Sequence, residues 1–192
     1  CWVSYVEMVK IAEGKSVLVK TTMENNFCLT AEQLEAAITP NTKLLMLCSP
    51  NNPTGSVYTL ENLKALVEVL KKHPQVVVLA DEIYQHILYT GKHETLAQFP
   101  ELEDRLIIIN GVSKAYAMTG YRIGWLACHD KDLITAVKRL QGQTISCATT
   151  IAQKAAEAAY TGPQECVEEM RQAFERRRNL IVGLAKDIPG MK

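Results

Sequence analysis

No apolar run in this sequence approaches the roughly 18 residues that a membrane-crossing helix needs, and no basic-then-apolar leader opens it. Neither charge is in excess. Lys plus Arg and Asp plus Glu stand at 21 each, so no net field draws the chain to nucleic acid or an anionic membrane, and the expected partner is small. The six cysteines (Cys1, Cys28, Cys48, Cys128, Cys147, Cys166) contain no Cys-x-x-Cys pair and no metal spacing with the four histidines. No metal is therefore expected, and a reduced, cytoplasmic setting fits. Internal repeats, low-complexity segments and a helix-turn-helix pattern are also missing. What remains, at 192 residues and 47% hydrophobic content, is one domain or part of a larger one, with a substantial core. "CWVSYVEM" starts in mid-pattern and "KDIPGMK" stops just after a long helical stretch, so both ends read as cut.

Short runs rich in Val, Ile and Leu alternate with helical patterns. "SVLVKT", "KLLMLCSP", "VVVLAD", "RLIIIN" and "IGWLACH" predict strands; residues 30–38, 60–72, 130–140, 149–160 and 163–186 predict helices. Such alternation points to an α/β fold with a mostly parallel sheet. Thr30 with Gln33 has the form of a capping box, Thr59 with Asn62 can cap more weakly, and Pro163 suits a first helical turn. In the last helix Val167, Met170, Phe174, Ile181 and Leu184 form one stripe expected to be buried, and the run Arg176 to Arg178 is expected to pair with Glu165, Glu168 and Glu169 on a solvated face.

Open α/β sheets bind ligands beyond the carboxyl ends of their strands, which gives three run ends particular interest. "LLMLCSP" leads into Asn51, Asn52, Pro53, Thr54 and Gly55; "VVVLA" ends at Asp81, followed by Glu82 and Tyr84; "LIIIN" leads through Gly111 and Ser113 to Lys114. Singly, each has a bland reading as turn chemistry, a helix cap or a surface lysine. If the strands are neighbours, however, they set an amide, a carboxylate, a phenol and an amine around one crevice, with Arg122 close in sequence for an anion. A desolvated lysine is nucleophilic toward a carbonyl, a carboxylate partners a ring nitrogen, and an arginine fork takes a phosphate. Pyridoxal 5'-phosphate uses all of these groups.

"NGVSKAYAMTGYRIGW", preceded in order by "SPNNPTG" and "ADEIY", resembles the fold type I pyridoxal-phosphate enzymes, specifically the class I and II aminotransferases, and within them the bacterial aspartate aminotransferase branch. The likeness covers essentially the whole chain. It implies a three-layer α/β/α fold with a mostly parallel mixed sheet, residues 1–192 being the central part of the cofactor-binding large domain and ending in the long helix that leads to a smaller domain. It implies that Lys114 bonds the cofactor and then shuttles a proton, that Asp81 holds the pyridine nitrogen, that Asn52 and Tyr84 hold the 3' oxygen, and that Arg122 grips the phosphate with Ser113 as a further neighbour. "WVSYVEMV" resembles a segment in which the Trp packs on the cofactor ring, which gives Trp2 that role.

The resemblance also implies transfer of an amino group from an amino acid to a 2-oxo acid, of the aspartate and glutamate type, by a homodimer. Gly111 departs from relatives that carry a hydroxyl three residues before the lysine, and Cys1 and Val6 depart from the usual Tyr and Pro. The family's glycine-rich phosphate loop, the tyrosine from a neighbouring subunit and the carboxylate-binding arginine have no counterpart in these residues. Two other readings keep the motifs: a β-lyase on the same scaffold, and the cofactor-sensing domain of a transcription regulator. Elsewhere, His73 and His93 in turn-like segments are expected to face solvent, and Glu82 is expected to be structural.

Overall fold

Three of the apolar runs become parallel strands lying side by side. In the computed structural model, which describes residues 1–191, these are β1 (Leu44–Cys48), β2 (Val77–Asp81) and β3 (Leu106–Gly111). A fourth, β4 (Gly124–Ala127), runs antiparallel to β3 and gives the order β1-β2-β3-β4. The α/β architecture and the mostly parallel mixed sheet are thus as expected.

Parallel neighbours require a crossover, and between β1 and β2 it contains a helix, Leu60–Lys71. The helix starts where Thr59 and Asn62 satisfy each other's exposed backbone: the Thr59 hydroxyl accepts from the Asn62 N–H at 3.2 Å, and the Asn62 side chain accepts from the Thr59 N–H at 3.1 Å. Its Leu63, Leu66, Val67 and Leu70, at three-, four- and seven-residue steps, are all buried. Past the end of that helix, the Arg105 guanidinium donates to the carbonyls of Leu70, His73 and Val76 at 2.7–2.8 Å, tying the last helical turn to the segment that leads into β2.

The pleat then sorts the sheet's chemistry. Val78 and Ala80 are buried in the same core as Leu47, Leu66 and Leu70. Asp81, one step on, faces the other way, in register with Cys48 of β1 and Ile109 of β3. One face of the sheet is core; the other carries the carboxylate.

In chain order the helices are α1 (Val3–Ile11), α2 (Ala31–Ala37), α3 (the Leu60–Lys71 crossover), α4 (Lys131–Thr144), α5 (Thr150–Thr161) and α6 (Glu165–Lys186). The Thr30–Gln33 capping box forms as expected. "SVLVKT" does not become a strand: it lies outside the sheet, with Val17 and Leu18 exposed, because β-propensity without a hydrogen-bonding partner does not make a ladder. α1 was not foreseen, α4 runs on to Thr144, and Pro163 precedes α6 rather than forming its first turn.

The α6 stripe is covered only in its first half. Val167 is buried and Met170 and Phe174 partly so, whereas Ile181 and Leu184 are exposed, since the described sheet and loops extend no further along the helix. The arginine run also pairs differently. It is Arg171 that binds Glu168 and Glu175, with Arg178 Nη2 3.5 Å from Glu175, while Arg177 lies over the Phe174 ring and Arg178 over the Tyr89 ring, 4.8 Å from its centroid. Helical spacing brings i, i+3 and i, i+4 partners together, and Arg176 to Arg178 stand too far along the helix from Glu165 and Glu169. Among the described residues, no helix is long and apolar enough to cross a membrane.

Candidate active site

Parallel alignment delivers the three polar run ends to one edge of the sheet. After β1 the chain turns on Asn51: its N–H donates to the Ser56 carbonyl at 2.9 Å, its carbonyl accepts from the Gly55 N–H at 2.8 Å, and its side chain accepts from the Thr54 hydroxyl at 3.0 Å. Gly55 occupies the turn with φ of +71°, which favours glycine. Because Asn51 builds the turn, Asn52 is left to reach outward, and its Nδ2 donates to the Tyr84 hydroxyl at 3.3 Å.

After β2 two adjacent carboxylates part company. Asp81 Oδ1 accepts from the Ile83 N–H at 3.1 Å, and its Oδ2 accepts from the Tyr5 hydroxyl of α1. Glu82, pointing to the opposite side, is buried; it accepts from the Thr95 hydroxyl at 2.7 Å and lies 3.2 Å from His93 Nε2. His93 is accordingly not solvent-facing, its side chain being 14% exposed, because a buried carboxylate draws in a partner. His73 is also turned inward in part, its Nε2 3.0 Å from Glu35.

After β3 the backbone tightens around the lysine. The Ala117 N–H donates to the Lys114 carbonyl at 3.2 Å, with Ala117 itself held at φ of +52°. A left-handed non-glycine residue costs roughly 1–2 kcal/mol, and such strain is concentrated at functional sites. Lys114 Nζ comes to 5.6 Å from the centroid of the Tyr84 ring, over its electron-rich face. Ser113, Lys114 and Tyr84 line a cavity of about 570 Å³, with Thr119, Phe174 and Arg178 on other parts of its wall. That volume suits a small molecule.

Arg122 stands at the cavity's margin. Also left-handed, at φ of +52°, it sends Nη1 to the Thr119 carbonyl at 2.8 Å, so its guanidinium is tied to a cavity-lining residue without lining the cavity itself. Trp2, which precedes α1, meets Tyr5 edge to face with centroids 5.6 Å apart, and through Tyr5 is joined to Asp81. At Gly111 a Cβ would fall 2.8 Å from the Cα of Gly124, its register partner, and 3.0 Å from the Ile123 carbonyl oxygen. The close approach of β3 and β4 therefore leaves no room for a hydroxyl-bearing side chain there.

The electrostatics of this edge centre on Asp81 and its neighbours. Burial pushes the Tyr5 phenol well above its ordinary range, and its hydrogen bond to Asp81 pushes it further. Burial likewise raises the Cys48 thiol, with the Asp81 charge adding to it. Two contributors are not evident from the sequence pattern: Tyr5, and the Glu82–His93–Thr95 cluster. The signal for Tyr5 was its place three residues after Trp2, one helical turn away. For His93, a turn-like neighbourhood gave no such sign.

This fold and this edge belong to a known class: residues 1–192 match the family model for aminotransferase class I and II, and the chain belongs to that family. It is similar to the aspartate aminotransferase of Geobacillus stearothermophilus, 52% identical over 191 residues that cover 98% of this chain and 48% of that protein. The aspartate/prephenate aminotransferase of Nitrosomonas europaea is 45% identical over 192 residues, covering 99% of this chain and 48% of its own. In three dimensions, the crystal structure of the aspartate aminotransferase of Rhizobium meliloti superimposes with a TM-score of 0.94 at 46% identity, over 98% of this chain and 48% of that one. The chain spans about half the length of the relatives it matches.

Proposed function

We propose that the protein in its full length is a pyridoxal-phosphate-dependent aminotransferase of the aspartate type, moving an amino group between aspartate or glutamate and the matching 2-oxo acids. The observation that carries this reading is the meeting of Lys114 with Tyr84, and of Tyr84 with Asn52, at the strand edge that also holds Asp81. Residues 1–192 are then the central part of the cofactor-binding large domain, with α6 leading toward a smaller one. The names of the similar proteins support the substrate class, and one of them also carries prephenate. Six free thiols are compatible with a reducing cytoplasm, and the family likeness supports a homodimer.

The chemistry of the donor set fits the cofactor group by group. An amine suits its aldehyde, a carboxylate its ring nitrogen, a phenol with an amide its 3' oxygen, and a guanidinium its phosphate. When bound, the cofactor supplies the carbonyl that captures amino groups and a ring that takes up the electron pair released at the substrate's α carbon.

The chain's own residues do the rest. Lys114 Nζ is the amine that would hold the cofactor's aldehyde and, when free, would serve as the base and acid that moves the substrate's α proton. Asp81 would face the ring nitrogen. Tyr84 and Asn52 would hold the cofactor's 3' oxygen, Arg122 and Ser113 its phosphate, and Trp2 would pack on its ring and narrow the access of water. The test is steady-state kinetics of the full-length protein with aspartate and 2-oxoglutarate. Parallel-line, two-step exchange that Lys114→Ala abolishes supports the reading; ammonia release without dependence on the oxo acid contradicts it.

A further inference from the structure

We infer that Tyr5 is a positioning residue for Asp81, its hydroxyl fixing the orientation in which the carboxylate meets a ring nitrogen. The inference rests on the cofactor reading above. Tyr5 lies 76 residues from Asp81 in the chain, and the bond between them crosses from α1 to the end of β2. The helix has no buried residue, and Val3, Met8 and Ile11 on it are exposed, so this bond is a direct tie between α1 and the sheet. The aromatic edge of Tyr5 rests against Trp2, which limits how the phenol can swing.

What the hydroxyl adds is a second point of attachment. The Ile83 N–H holds Oδ1 from within the same turn, and a carboxylate held at one oxygen can still rock about its terminal torsion. With Tyr5 on Oδ2 the carboxyl plane is set from two sides. Each oxygen keeps a further acceptor direction, so the anchored carboxylate still has a lone pair for a ring N–H. The groups facing the phenol are Asp81 and Cys48, and together with burial they hold it in its protonated, donating form throughout the working pH range. The contact therefore does not turn into a repulsion between two anions.

The experiment uses the full-length protein loaded with pyridoxal 5'-phosphate, compared with Tyr5→Phe and with Val3→Ser, a change on an exposed α1 position that leaves the hydroxyl in place. Phe keeps the ring against Trp2 and removes only the donor. A loosely held Asp81 secures the ring proton less firmly, so in Tyr5→Phe the pH at which the lysine-bound cofactor's absorbance changes moves upward, and cofactor affinity falls about tenfold, as expected for losing a hydrogen bond to a charged group. Val3→Ser shifts neither. An unchanged titration and affinity in Tyr5→Phe overturns the inference, as does an equal shift in Val3→Ser, which would assign the effect to the helix rather than the hydroxyl. Loss of the band in Lys114→Ala is a separate outcome: if it persists there, the cofactor reading fails, whereas a Lys114-dependent band that Tyr5→Phe leaves alone removes only the role of Tyr5.

Discussion

Asn52 and Tyr84, 32 residues apart, meet at 3.3 Å because β1 and β2 run parallel and end together. Their contact aligns an amide and a phenol toward one point. Tyr84→Phe should weaken cofactor binding by about fivefold, the worth of one ordinary hydrogen bond, and Asn52→Ala by a similar factor. In a double-mutant cycle read by cofactor titration the two losses combine less than additively, since they share one bond. Strict additivity would show that the two groups act apart.

Glu82 and Asp81 are adjacent in sequence yet perform different work, one inside the fold and one at the site. Replacing Glu82 by Ala leaves the Thr95 hydroxyl without its buried acceptor and removes the carboxylate 3.2 Å from His93 Nε2. The expected cost is about 2–4 kcal/mol of unfolding free energy in a urea titration. A loss too small to resolve would mean that the cluster is solvated.

Gly111 meets Gly124 so closely that an added side chain must push β3 from β4. Gly111→Ser is expected to destabilise the protein by about 1–3 kcal/mol, as overpacking does, without improving phosphate binding. Thermal denaturation alongside cofactor titration checks both halves. Tighter cofactor binding at unchanged stability would show that the strands yield and that the hydroxyl reaches the phosphate.

The Arg171 guanidinium beside Glu168 holds that carboxyl at about 2, below its ordinary 4.5, with Gln172 assisting. A carboxylate whose folded value is depressed contributes stability above its unfolded value and loses it as pH falls through the folded one. The melting-temperature difference between the protein and Glu168→Gln should therefore be present near neutrality and shrink as pH drops from about 4.5 toward 2. As the pair is exposed, added salt should reduce the difference. A difference that grows on acidification would contradict this assignment.

The runs that became β1, β2 and β3 were legible because a buried parallel strand must be apolar on both faces, and their polar ends were legible because nothing in the core calls for an Asp or a Lys there. The same Val and Leu content misled at "SVLVKT", which pairs with none of the four strands among the described residues. α1 was hidden by its β-branched residues, which read poorly as helix, and with it went Tyr5. His93 and Tyr5 share a deeper reason. Their partners, Glu82 and Asp81, are brought to them only by tertiary folding; the Trp2–Tyr5 spacing puts Tyr5 near Trp2 but does not name Asp81.

The most direct test of the central claim is to reduce the cofactor-loaded, full-length protein with borohydride, digest it and locate the cofactor's mass. The label should lie on the peptide containing Lys114 and disappear from that peptide in Lys114→Ala. Label on a different lysine, or none on the Lys114 peptide, would contradict it.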